Sequence, residues 1–187
     1  MPPKVKTTKE DIINVAVDIV RKSGEQGLNA RNIAKVLECS TQPIFSNFSS
    51  MDQLRFAVIK RAEEIFKEYM ERQVKTGEYP VYKASGMAYI SFAKEEKELF
   101  RLLYMRDRSQ EQIDEKTDID FEMENIVYNN TGLEGENNKI FHLEMWAYVH
   151  GIAVMFATNY FNPQLELVSK MLTDSYQGLR KQYELEG

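Results

Sequence analysis

Ser40, Thr41 and Gln42 stand in a row immediately before Pro43. Small polar side chains there add little to a core, but each carries hydrogen-bond donors and acceptors. Proline is tolerated in the first helical turn, where backbone N–H groups lack intrahelical partners, so the row falls at a helix start. Two chemistries suit it: capping that helix, or presenting polar groups to a partner outside the chain. Other chemistry-bearing sets are poorer. His142 and His150 are eight residues apart, about 12 Å along one helix, so they cannot share an ion. Cys39 is the only cysteine, and no Glu-x-x-His motif occurs; metal ligands are not expected. Asp114, Glu115, Asp118, Asp120, Glu122 and Glu124 read as a solvated helix face. No nucleophile–base spacing or phosphate loop occurs. Catalytic residues and cofactors are therefore not expected, and an all-α enzyme with a carboxylate or His150 as base is the poorer alternative.

The 187 residues are 43% hydrophobic and 28% charged, the balance of a globular chain with a real core. The lone Cys39 fits a reducing compartment. The most apolar segment, Ile140 to Phe161, is interrupted by His142, Glu144, His150 and Asn159, so no bilayer span is expected. The N-terminal stretch has acidic Glu10, Asp11 and Asp18 and does not read as a signal peptide. A soluble cytoplasmic protein without a membrane partner is the expectation. The net charge of −5 hides an asymmetry. Through Lys60 there are nine Lys and Arg against six Asp and Glu, a balance of +3, and the remainder carries −8. A basic end on an acidic body can approach phosphates.

The elements that must position these residues are helical throughout. Thr7 and Glu10 have capping-box spacing, followed by Ile12, Ile13, Ala16, Val17 and Val20 at helical intervals. Gly24 and Gly27 close that helix, and Asn29 caps a short one burying Ile33, Ala34 and Leu37. A third, about Gln42 to Asn47, follows the turn "ECST". Ser50 and Gln53 form another capping box, opening a long helix with Leu54, Val58, Ala62, Ile65, Phe66 and Tyr69 inward. Tyr79-Pro80 breaks the pattern. Amphipathic stretches come near Val81–Phe92, Glu98–Met105 and Ile113–Val127, then "NNTGLEGENN" reads as a loop. The apolar segment ends at Asn162-Pro163, and a last helix carries Leu165, Val168, Leu172, Ser175 and Leu179. The fold class is all-α.

Two short helices joined by a tight turn are too little to fold alone and need long neighbours to bury their apolar sides. This is helix-turn-helix geometry. In that motif the second helix enters the major groove by its N-terminal end, where Thr41 and Gln42 offer groups to base edges and the helix start offers N–H groups to anions. Ile44 and Phe48, four apart, anchor it from behind. From Thr8 to Leu54 the sequence resembles the DNA-binding domain of tetracycline-repressor-like (TetR) regulators, in "IINVAVDIVRKSG", "LNARNIAKVLECS" and "PIFSNFSSMDQL". It departs at Phe45, where the family usually has a phosphate-contacting tyrosine, and at Met51, commonly a lysine. The resemblance implies residues 1–52 as a helix-turn-helix domain contacting DNA through Arg31, Lys35, Ser40, Thr41, Gln42, Phe45 and Asn47. Arg31, Lys35 and the Lys4/Lys6/Lys9 arm supply the electrostatic share.

The resemblance also implies that residues 53–187 form a helical domain that dimerises and encloses an effector pocket. "WAYVHG", Trp146 to Gly151, is similar to the Trp…His-Gly signature of one subgroup. Tyr89, Phe92, Phe100, Tyr104, Met105, Phe121, Trp146, His150 and Met155 are usual core types that as a set could line an adaptable apolar cavity. An apolar or aromatic effector is expected there, stacked on Trp146 and Tyr104 and hydrogen-bonded to His150. Ile140–Phe161 is apolar nearly all round, so one face can meet the core and another a partner. The expected two-fold seam takes Val149, Ile152 and Phe156 with Leu165, Val168, Leu172 and Leu179. Together these imply a transcriptional repressor that binds a pseudo-palindromic operator in double-stranded DNA and is released by its effector. A helical scaffold without strong DNA binding is the alternative.

Overall fold

The computed structural model describes residues 7–107 and 118–183, with the side chains of 118–123 excepted. Among them the helices are α1 (Lys9–Ser23), α2 (Ala30–Val36), α3 (Gln42–Asn47), α4 (Met51–Lys75), α5 (Val81–Glu95), α6 (Lys97–Tyr104), α7 (Asp118–Thr131), α8 (Gly135–Ala157) and α9 (Leu165–Gln182), and no strand occurs. The chain divides into two compact units: Met1–Lys67 with Glu96–Arg106, and Glu68–Glu95 with Asp107–Gly187. That cut lies within α4, and the 52/53 boundary expected from sequence falls after the second residue of the same helix.

In the first unit, α1 starts one residue later than its expected capping box. Thr8 Oγ1 accepts from the Asp11 backbone N–H at 3.1 Å, and Asp11 Oδ2 accepts from that of Thr8 at 2.8 Å. Thr7/Glu10 and Thr8/Asp11 have equal spacing, so packing of Ile12, Ala16, Val17 and Val20 decides the register. Asn29 caps α2 by accepting from Asn32 N–H at 2.9 Å. At its other end Glu38 has φ 50, and Glu38 N–H and Cys39 N–H donate to Lys35 O and Ala34 O. This is a Schellman ending with a glutamate where glycine is commonest. The α4 cap is split: Ser50 Oγ accepts from Gln53 N–H, but Gln53 Oε1 accepts from Ser49 N–H rather than from Ser50. Arg21 grips Glu96 through Nε at 2.9 Å and a terminal nitrogen at 2.8 Å, tying α1 to the start of α6. Ile12, Ile33, Ile44, Leu54 and Leu99, all fully buried, give the unit its core.

In the second unit, α5 is the central helix, with Tyr82, Ala84, Ser85, Met87–Ile90, Phe92 and Ala93 buried. It runs parallel to α8, because Tyr82 meets His142, Tyr89 meets His150 and Lys94 lies over the Phe156 ring. Gly86 allows close approach: a Cβ there would lie 3.4 Å from both Leu172 Cδ1 and Val149 Cγ2. Tyr82, Val127, Phe141 and Met145 form a buried cluster, closed by Tyr176, Leu179 and Tyr183.

Helix α8 begins at Gly135, inside the stretch expected to be loop. The buried Asn138 explains it, since its Nδ2 donates to Leu133 O in the turn at 2.9 Å and to Glu124 O within α7 at 3.1 Å, fixing the first turn of α8 against α7. The helix ends before the expected Asn162-Pro163, because Asn159 turns left-handed (φ 57) and Tyr160 N–H donates to Met155 O. By length and mean hydropathy (1.3) alone α8 is long and apolar enough to cross a bilayer. Four polar interruptions are too few to lower the average. In the fold it packs one face on α5, α7 and α9.

Candidate functional site

Helix α3 is held by Ile44, fully buried, and by Phe48, 1% exposed just beyond it. Of the two chemistries open to Ser40-Thr41-Gln42, capping is not used. Thr41 occupies the N-cap position with helical backbone angles (φ −72, ψ −11), and its side chain makes no capping bond. Instead Thr41 O accepts from Ile44 and Phe45 N–H, each at 3.2 Å. Ser40 and Gln42 are exposed and Thr41 is half-buried. Asn47 is turned inward, its Nδ2 donating to Pro43 O at 2.8 Å, so its donor serves α3 itself. Ser46, which the sequence reading passed over, is exposed but likewise donates to Gln42 O. Periodicity marks Ser46 as outward and gives no sign of that bond.

On α2, Arg31 and Lys35 are both exposed and four residues apart, which puts two cations on one side of the helix. Lys9 lies at the start of α1 with Nζ 5.2 Å over the Phe48 ring. Lys4 and Lys6 lie outside the described residues. Cys39, in the turn, is a half-buried free thiol. The first unit thus brings exposed hydrogen-bonding groups and exposed cations onto consecutive short helices.

The expected effector residues divide between the two units. Phe100, Tyr104 and Met105 belong to the first unit, and Tyr89, Phe92, Trp146, His150 and Met155 to the second; the Phe121 side chain is outside those described. Phe92 and Phe100 are fully buried core residues. Within the first unit Tyr104 packs on Phe100 and Phe66 at 5.1 and 5.9 Å between ring centres. What the second unit does assemble is a cluster on α5 and α8. Tyr89 Oη lies 2.9 Å from His150 Nδ1, and Trp146 stacks on the His150 ring at 4.8 Å and 15°. Trp146 and Met155 are about two-fifths exposed. There are cavities of about 430 Å³ (Lys22–Gln26 with Glu98, Arg101, Leu102, Met105 and Arg106), with a mainly polar wall, and of about 490 Å³ (Glu68, Glu71, Arg72, Lys75 and Thr76), walled mainly by the aliphatic parts of polar and charged side chains. Neither involves Trp146.

Burial lowers the His150 pKa from its ordinary 6.5. The unfolded chain therefore binds this proton more readily, and stability falls as pH drops below about 6.5, levelling off below the folded-state pKa. Thermal midpoints between pH 5 and 8 are expected to show this decline in the wild type and a shallower one in His150→Gln. Equal slopes would place the titration elsewhere.

The expected dimer residues need correction. Val149, Ile152, Phe156, Val168 and Leu172 are 8%, 3%, 1%, 0% and 3% exposed within the single chain. Leu179 packs on the Phe141 cluster and Leu165 is half-buried. The first five belong to the unit's own core and have little surface left for a partner. The opposite face of α8 is uncovered and, apart from Glu144, apolar: Ile140 39%, Leu143 58%, Trp146 42% and Tyr148 36% exposed. Ala147 and Gly151 are also exposed, and a Cβ on Gly151 would meet nothing within 4 Å. Gly151 therefore serves no packing inside the chain. On α9, Leu167 is 49% exposed.

No protein-family model and no curated protein matches the chain by sequence. Solved structures match it by fold. A TetR-like transcriptional regulator from Rhodococcus sp. RHA1 superposes with a TM-score of 0.68 at 16% identity, covering 96% of this chain and 98% of that one. A TetR-family member from Streptomyces coelicolor A3 gives 0.61 at 15% identity over 89% and 96%. A chain from Pseudomonas aeruginosa PAO1 gives 0.67 at 14% identity over 92% and 90%. The shared property at such identity is the fold, that of TetR-like regulators, and the Trp146…His150-Gly151 subgroup is not supported by it.

Proposed function

We propose, from that fold, that the chain is a sequence-specific DNA-binding transcriptional regulator acting in the cytoplasm as a homodimer. The observation that carries the reading is the helix-turn-helix itself. Its second helix starts with Thr41 and Gln42 outside any capping bond, and its first presents Arg31 and Lys35 to solvent. The second helix of such a motif lies in the major groove, with its N-terminal residues at base edges. Here Thr41 and Gln42 read bases, while Arg31, Lys35 and Lys9 hold phosphates. Those cations lie on α1 and α2, so the chain does not rely on a tyrosine hydroxyl at position 45 for backbone contacts.

Pairing of two heads uses the outward faces of α8 and α9, through Leu143, Ala147, Gly151 and Leu167. An apolar helix face of this kind is unusual on a monomer, and Gly151 lets a second helix approach closely. An apolar or aromatic effector acts through the second unit, with Trp146 and His150 as its contacts. Repression relieved by that effector requires different effector affinities in the DNA-fitting and non-fitting states.

The test is binding-site selection with wild type, Gln42→Ala and Arg31→Ala. Gln42→Ala is expected to cost about 1–3 kcal/mol on the preferred site and to relax one position, as loss of a base contact does. Arg31→Ala is expected to weaken every sequence alike and to reduce the salt slope by about one. Retention of the wild-type preference and slope by both variants would overturn this orientation of α3. Absence of any salt-dependent duplex binding would leave a helical scaffold.

A further inference from the structure

Helix α3 has no charged residue from Gln42 to Asn47. Ile44 is fully buried, and the Ser46 hydroxyl and Asn47 Nδ2 are turned back onto Gln42 O and Pro43 O. Beside the exposed Ser46 hydroxyl oxygen, what α3 presents outward is the exposed Gln42 amide and the Phe45 ring, which is 52% exposed. They are three residues apart, on one side of the helix. The rise between them is about 4.5 Å, comparable with the spacing of neighbouring base pairs, about 3.4 Å.

The major groove gives each base a distinct demand. Guanine O6 and N7 are met by Arg or Lys, and the cytosine N4 amino group by Asp or Glu. Helix α3 has none of these. Adenine N6 and N7 are met together by a side-chain amide, and the thymine C5-methyl group by an apolar surface such as a phenyl ring. The chemistry on α3 matches the second pair and lacks the first.

We infer that α3 reads a core of A·T pairs in each half-site, with an adenine opposite Gln42 and a thymine methyl packed against Phe45. The inference rests on the DNA-binding reading above and narrows it to a class of operator. It also gives Phe45 a role as a specificity-determining residue, since a phenyl ring cannot bond a phosphate but can cover a methyl group. The exposed ring loses solvent contact only when that methyl is present.

The experiment uses the full chain in two steps. Duplexes are selected from a randomised pool, and the preferred duplex is then remade with deoxyuridine in place of each core thymine in turn. Deoxyuridine keeps every hydrogen-bonding group and lacks only the methyl. The selected core is expected to be A·T. One uridine position is expected to weaken wild-type binding about fourfold, the worth of burying one methyl-sized group. That loss is expected to vanish in Phe45→Ala, whose exposed site leaves the thermal midpoint close to that of the wild type. Phe45→Leu, which keeps an apolar surface, is expected to retain part of it. Selection of G·C pairs across the core, or equal uridine sensitivity in wild type and Phe45→Ala, would overturn the inference and leave DNA binding standing. A pool that yields no enriched duplex at low salt would overturn the DNA-binding reading itself, and this inference with it.

Discussion

Leu143→Glu combined with Leu167→Glu is expected to convert the proposed dimer into a folded monomer and to weaken operator binding about a hundredfold or more. Both leucines are about half exposed in the single chain, so glutamate at either site is solvated in the monomer and does not disturb its core. In the proposed seam the same carboxylates would be buried without a partner, at a cost of about 3–5 kcal/mol each. Operator affinity then falls because two linked heads bind with the advantage of effective concentration, about 10²–10⁴ over a single head. The control is Leu172→Glu. Leu172 is 3% exposed and approaches the Cα of Gly86, so a charge there is expected to unfold the second unit. Sedimentation and circular dichroism at micromolar concentration separate the two results. A double variant that stays dimeric would move the seam off these faces, and a Leu172→Glu protein that is monomeric with wild-type thermal stability would return the seam to the residues first expected from sequence.

Phe141→Ala is expected to be the most damaging single truncation in the second unit. The ring is fully buried. It meets Tyr176 edge-on at 5.7 Å and 90°, Tyr183 at 5.7 Å and 64°, and Tyr82 at 6.4 Å. Those three tyrosines come from α5 and from α9 and its end, so they cannot collapse into the vacancy together. Removing a phenylalanine from such a place costs about 3–5 kcal/mol, a fall in thermal midpoint of about 10 °C for a chain of this size. Phe161→Ala is the contrast: it is 54% exposed, and a change within about 0.5 kcal/mol is expected. A loss below about 1 kcal/mol at Phe141 would mean that the α5–α9 packing is looser than described.

Several elements were legible in the sequence because they depend on neighbours three or four residues away. Asn29 announces α2 through a local hydrogen bond to Asn32, and Pro43 announces the first turn of α3. The spacing of Ile12, Ala16 and Val20 gives α1 its buried face without reference to anything else. Local signals also place Ser40, Thr41 and Gln42 at a helix start, and with them the candidate reading surface. The same signals failed where two local solutions were equivalent. Thr7/Glu10 and Thr8/Asp11 offer the same box, and only the contacts of Ile12 and Val17 choose between them.

Tertiary structure alone decided the rest. Helix α8 is apolar on most of its circumference, so its periodicity is nearly flat and names no inward face. Packing on α5 and α9 buries Val149, Ile152 and Phe156 and leaves Leu143, Ala147 and Gly151 outward. Residues expected at a dimer seam, Val149, Ile152 and Phe156, are core instead. The Tyr89–His150 bond joins residues 61 apart in sequence, and no local pattern encodes such a pair. Whether Thr41 caps its helix was equally beyond the sequence: a threonine at a helix start can do either, and its backbone angles, set by how the turn fits against α2, settle which. The sequence by itself therefore determined the helical class, the order of the N-terminal helices and the position of the candidate reading helix α3, because those follow from short-range hydrogen bonding and periodicity. The tertiary structure decided which faces are core and which are free, because burial is a property of what the rest of the chain brings alongside.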